Sequence, residues 1–154
     1  MMGAVTYPNS EVESYISEFF IPIQINVVEH PDIAEKHNAP WTPTILIHDA
    51  DKKEHRRTEG YLDPRRMIEE LSLARMKAAV DRSDFVTAKA LAPEVLRTTS
   101  GDQAREPEAL YWTAVAEYKS THDAKALTGG WTRLLEQYPE SEWAKRAEFI
   151  RKAG

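Results

Sequence analysis

The chain contains no cysteine among its 154 residues. That one absence excludes structural disulfides, thiolate metal sites and a cysteine nucleophile. It says little about redox compartment. Long apolar runs are also missing, and no stretch approaches the roughly 18 residues of a membrane span. The first residues show no basic segment followed by an apolar one, so no secretion signal is visible. Clustered positive charge, the footprint of nucleic-acid binding, is absent. Formal net charge is −5, with acidic and basic residues interspersed. No glycine-rich phosphate loop and no His-x-x-x-His pair occurs, and no Ser-His-Asp order stands out.

What is present is ordinary for a globular protein: 42% hydrophobic and 29% charged residues, close to the usual proportions. A chain of this length buries roughly 68–70% of its unfolded surface, so a real core is possible. Ser10 opens a helix, with Glu13 three residues later in the capping-box pattern. Val12, Tyr15, Ile16, Phe19 and Phe20 follow as a helical apolar stripe. Ile21, Ile23, Ile25 and Val27 then alternate with Pro22, Gln24 and Asn26, which predicts a strand with Pro22 at its beginning. His30-Pro31 starts a short helix that ends near Asn38, a residue suited to a left-handed cap. Thr44 to His48 and Glu54 to Thr58 read as two strands of a hairpin. Asp63 caps a helix that begins at Pro64 and runs to about Val80.

Beyond Asp81 the chain becomes helical and alanine-rich. Helices are predicted at about 84–97, 107–120, 123–138 and 141–152, with Pro93 interrupting the first. Ala-Lys-Ala-Leu occurs at 88–91 and again at 124–127. Ala109-Leu110-Tyr111-Trp112 through Tyr118, then Leu134-Leu135 and Tyr138-Pro139, resembles a tetratricopeptide helix pair, whose period is near 34. Residues 81–154 are therefore expected to form a tetratricopeptide-like, all-α helical-hairpin extension.

Residues 1–80 carry a second resemblance. Trp41-Thr42-Pro43-Thr44 with Ile45-Leu46-Ile47 resembles the cis-proline loop and following strand of thioredoxin-like proteins. Gly60-Tyr61-Leu62-Asp63-Pro64 is similar to the turn into that fold's last helix. Tyr7-Pro8-Asn9-Ser10-Glu11-Val12 is similar to the middle of the active-site helix in members that act on partner disulfides. The resemblance implies an α/β, thioredoxin-like domain over 1–80, N-terminally incomplete, with a three-stranded mixed sheet. The Cys-x-x-Cys of that family, which precedes the segment matched by Met1-Met2, has no counterpart. The family's first strand, first helix and second strand have none either. Asp51-Lys52-Lys53-Glu54 stands where Asp-Gly-Lys-Glu is usual, so Lys52 is expected at positive φ unless the turn widens.

The missing second strand lies mid-sheet in that family, between the segment matched by 21–28 and the hairpin. Its loss leaves backbone groups unpaired, at about 1–3 kcal/mol for each one buried. Three repairs are open: a longer natural protein, antiparallel pairing of 21–28 with 44–48, or a homodimer that completes or exchanges the sheet.

The resemblance implies that Trp41, Thr42, Pro43 and Thr44 form a peptide-docking ledge, with a protein or peptide as partner. Thiol–disulfide exchange needs a thiolate, so the chain as it stands is expected to be a redox-inactive binding or scaffold protein. The alternative is a truncated form of a thioredoxin-like thiol–disulfide oxidoreductase whose Cys-x-x-Cys lies upstream of Met1. The expected compartment is cytoplasmic, or periplasmic if the natural start lies further upstream. No cofactor and no metal is expected. Five histidines are scattered, at positions 30, 37, 48, 55 and 122, and His48 and His55 are placed to face each other across the hairpin. A zinc site needs three or four convergent ligands. The tight basic pairs Arg56-Arg57 and Arg65-Arg66 have acids nearby and read as locally paired.

Overall fold

A computed structural model describes residues 2–152. The chain divides into two compact units, Met1–Glu70 and Leu71–Gly154. In the first unit a π-helical turn, Met2–Thr6, leads into α1 (Ser10–Phe19) and α2 (Pro31–Lys36). A hairpin of β1 (Thr44–His48) and β2 (Glu54–Glu59) follows, and then α3 (Pro64–Asp81), which begins in this unit. The second unit contains the rest of α3, then α4 (Phe85–Thr99), α5 (Glu106–Thr121), α6 (Ala124–Gln137) and α7 (Glu142–Ala147). A short 3-10 helix, Glu148–Lys152, comes last.

The expected three-stranded mixed sheet is not formed. The structure is 62% helical, and among the described residues the strands make one two-stranded antiparallel sheet. A thioredoxin-like fold of the anticipated kind is therefore corrected to a helical protein with a small hairpin. The physical reason lies at 21–28. Among the described residues none pairs with the backbone of 21–25, and the antiparallel pairing of 21–28 with 44–48 is not made. Pro22 has no N–H to donate. Asn26 then bends the chain: its side-chain oxygen accepts from the Val28 N–H at 3.0 Å and its carbonyl from the His30 N–H at 2.9 Å. Such an Asx turn offers the backbone a local alternative to a ladder. Alternation in sequence shows what a strand would look like, but a strand still needs a neighbour.

Several other local expectations are met, but the capping box expected of Ser10 and Glu13 is not formed. Lys52 adopts φ 63° and Asn38 φ 48°. The N-cap of α1 is Asn9 rather than Ser10, with Asn9 Oδ1 accepting from Glu11 N and Val12 N. Asp63 Oδ1 accepts from Arg66 N at the start of α3. The later helices are capped as their sequences suggest, by Asp84 on α4, Asp123 on α6 and Ser141 on α7. Pro93 lies inside α4 without ending it.

The second unit has its own core. Leu110, Ala114, Trp131, Leu134, Leu135, Ala144 and Ala147 are buried together, and Leu73, Met76, Ala92, Val95 and Ala109 form an adjoining cluster. Alanines and Gly130 let the helices come close: a Cβ on Gly130 would sit 2.6 Å from the Ala114 Cβ. Trp131 is the aromatic buried in this core, while Tyr111, Trp112, Tyr138 and Trp143 are partly buried and pack against the clusters. Tyr111 stacks on Trp131 at 4.9 Å between ring centres, and the Trp131 indole N–H donates to the Tyr111 carbonyl. Trp143 packs against both Tyr111 and Trp112, with the Arg146 guanidinium 4.5 Å from its ring centre. Tyr138 reaches back to donate its hydroxyl to Glu106 at 2.6 Å. Burial and that carboxylate push the Tyr138 hydroxyl up to about 12.

Candidate functional site

The chemistry-bearing residues of the first unit lie around the hairpin. An isolated two-stranded hairpin is marginal in water, and this one is fastened by polar side chains. Its register pairs Thr44 with Glu59, Ile45 with Thr58, Leu46 with Arg57 and Ile47 with Arg56. A slip between Ile47 and His48 then brings His48 opposite Glu54. His48 therefore does not face His55 across the hairpin. This irregularity frees His55 to turn into the unit, where its Nε2 lies 2.7 Å from Asp49 Oδ2.

Asp49 organises the turn. Its Oδ1 accepts from Asp51 N at 3.0 Å and Lys53 N at 2.9 Å. The His55 hydrogen bond, then the Lys53 N–H, hold its carboxyl below the ordinary value of 3.8. Arg57 does the same to Glu54, whose ordinary value is 4.5, with His48 adding to it. A depressed pKa means that the stabilisation is full above the ordinary carboxylate value and disappears as pH falls through the depressed one. Amide protection in the hairpin is therefore expected to hold from neutral pH down to about pH 4.5 as far as these carboxylates are concerned, and to fail below about 3.8. NMR amide exchange across an acid series checks this, and Asp49→Asn should lose protection already at neutral pH.

Arg57 ties the hairpin to the chain before the predicted ledge. Its guanidinium donates to both Glu54 carboxylate oxygens, to the Asn38 carbonyl at 2.9 Å and to the His37 carbonyl at 2.7 Å. The His37 ring lies 5.4 Å from the His48 ring. Lysine cannot reproduce that fork. Arg57→Lys is expected to raise amide exchange in the 37–41 segment several-fold while leaving the helices of the second unit unchanged. An unaltered exchange rate there would show that the fork does not hold the segment.

The four ledge residues are close together and differ in role. Trp41 is 70% exposed and Thr42 is exposed, whereas Pro43 and Thr44 are half-buried. The Thr42-Pro43 peptide bond is cis. Thr44 Oγ1 donates to the Trp41 carbonyl at 2.6 Å, and the Pro43 carbonyl accepts from Gly60 N at 2.8 Å. Gly60 sits at φ 91°, a conformation that L side chains rarely adopt. The backbone of the loop is thus clasped from both ends and the indole is left in water. Among the described residues no cluster of histidine and carboxylate has the makings of a metal site, and no helix is long and apolar enough to cross a membrane.

A feature that the sequence pattern did not reveal lies at 21–28. Ile21 is 92% exposed, Ile23 81% and Val28 85%. Large apolar side chains at such exposure occur singly on ordinary surfaces, whereas here three fall within eight residues. The charge around it is one-sided. Charges are interspersed over the whole chain, yet residues 1–35 carry six acidic residues and no lysine or arginine. Glu11, Glu13, Glu18, Glu29, Asp32 and Glu35 are all exposed. Counting charge by segment, instead of over the chain, would have found this. Comparison of the chain with known protein families, with characterised proteins and with solved structures finds no match.

Proposed function

We propose that the chain works as a non-catalytic binding or scaffold protein. In this reading it is related through residues 7–12, 41–47 and 60–64 to thioredoxin-like proteins, but carries no redox chemistry of its own. One observation carries the proposal: an exposed apolar segment at 21–28 whose backbone at 21–25 is unpaired among the described residues. Such a segment offers amide and carbonyl groups for main-chain pairing and side chains for apolar contact. Together these are the elements of strand addition, in which main-chain bonds give affinity and side-chain contacts give specificity. The exposed Trp41 indole supports the same reading, because tryptophan is enriched where binding energy concentrates. The partner is a protein or peptide, and the zero cysteine count leaves no thiolate to attack a partner disulfide.

A display selection of random peptides tests the proposal. Peptides selected on the wild-type chain should lose binding to the double variant Ile21→Asp, Ile23→Asp. They should also slow amide exchange at 21–28 of the wild type. Both isoleucines point into water, so the variant keeps its fold. Selected peptides that bind the variant equally well would sink the idea.

A further inference from the structure

The partner's chemistry can be read from the charge around the same segment. Building on the binding reading above, we infer that the 21–28 segment takes an extended cationic peptide, one that alternates apolar residues with lysine or arginine. Shape comes from the backbone. The carbonyls of 21–25, and their N–H groups apart from Pro22, which has none, are unpaired among the described residues, which suits an extended occupant that brings its own main-chain donors and acceptors. Apolar contact comes from Ile21, Ile23 and Val28. In an extended occupant, successive side chains point to opposite sides. One row therefore meets the isoleucines while the other stays available to charge.

Sign comes from the flanks. Glu18 lies just before the segment in the last turn of α1, Glu29 just after it, and Asp32 and Glu35 on α2. Glu29 is steadied by the Asn26 side-chain amide at 2.9 Å. The first basic residue of the chain, Lys36, comes at the end of α2. Up to residue 35 an anionic occupant would meet acidic side chains and no lysine or arginine, and like-charge juxtaposition costs free energy at an interface. The same argument disfavours a second copy of this chain, which would bring its own six acids against these six.

The test uses the full chain and three short peptides in which valine alternates with lysine, with glutamate or with glutamine. Binding is read by fluorescence anisotropy at low and high salt. The lysine peptide is expected to bind at least about tenfold tighter than the glutamate peptide at low salt, and to lose most of that margin at high salt. Charge reversal by Glu18→Lys with Glu29→Lys should narrow or invert the preference. Ile21→Asp with Ile23→Asp separates a seated peptide from loose attraction to an acidic surface. A lysine peptide that binds that variant tighter still is held by charge alone, which overturns the inference. If all three peptides bind alike and the isoleucine variant abolishes binding, the cationic partner is wrong while the binding module stands. If none binds and sedimentation shows self-association that the isoleucine variant removes, a second copy is the occupant and the inference fails. If none binds and the chain remains a monomer, the inference and the binding reading fall together.

Discussion

Alanine at position 130 is expected to destabilise the helical unit by about 1–3 kcal/mol, whereas alanine at position 129 is expected to stabilise it by about 0.5–1 kcal/mol. The two glycines are neighbours in α6, and helix propensity treats them alike. Packing does not. A Cβ on Gly129 would meet nothing within 4 Å, while one on Gly130 would lie 2.6 Å from the Ala114 Cβ and 3.4 Å from its Cα. The obstructing atoms belong to a short side chain and to the backbone of α5, so nothing can swing aside and the helices must separate. Trp131, next in sequence and buried against Tyr111, would move with them. Overpacking therefore outweighs the propensity that alanine returns. Denaturation followed by far-ultraviolet circular dichroism gives both midpoints. Adding Ala114→Gly to Gly130→Ala should relieve the clash but not restore the helix propensity lost at 114, a coupling that a double-mutant cycle isolates. Midpoints that move in the same direction for Gly129→Ala and Gly130→Ala would contradict the close approach of α5 and α6.

The second large effect is expected in the first unit. Arg56 on β2 pairs with Glu70 on α3, and the two side chains are 15% and 9% exposed. Thr58 Oγ1 also donates to Glu70, at 3.2 Å. Removing one partner of such a pair leaves a charge in poorly solvated surroundings, and breaking buried pairs in this way costs about 3–5 kcal/mol. Arg56→Met should therefore loosen the hairpin severely, with loss of amide protection from Thr44 to Glu59. Replacing both partners, Arg56→Met with Glu70→Met, should restore most of that protection, because two apolar groups of similar size carry no desolvation cost. If the double variant is no better protected than the single one, the bond is needed for its direction and not merely for charge balance.

Much of the local structure was legible in the sequence. Helix boundaries in the second unit follow from caps and apolar spacing that the chain supplies locally: Asp84, Asp123 and Ser141 each precede their helix and accept from its first turn. The hairpin was legible for the same reason, since Asp49 and Lys52 shape its turn within a few residues. What failed was the segment at 21–28. Its alternation has the period of a strand, but pairing is decided by residues far away or by another molecule, and Asn26 turns the chain locally instead. The His48–His55 juxtaposition failed because a slip of one residue in the ladder moves every later side chain. The exposed acidic border was visible all along and needed only a count by segment.

The helices of the second unit pack largely in chain order. Helix α4 packs on α5, α5 on α6, and α7 on both α5 and α6. Topologies dominated by near neighbours fold in microseconds to milliseconds, whereas a chain is synthesised at about 5–20 residues per second. During synthesis each helix would thus find its partner before the next one emerges. The protein's helical half is able to assemble in the order in which it is made, with little time for unpaired apolar faces to meet anything else.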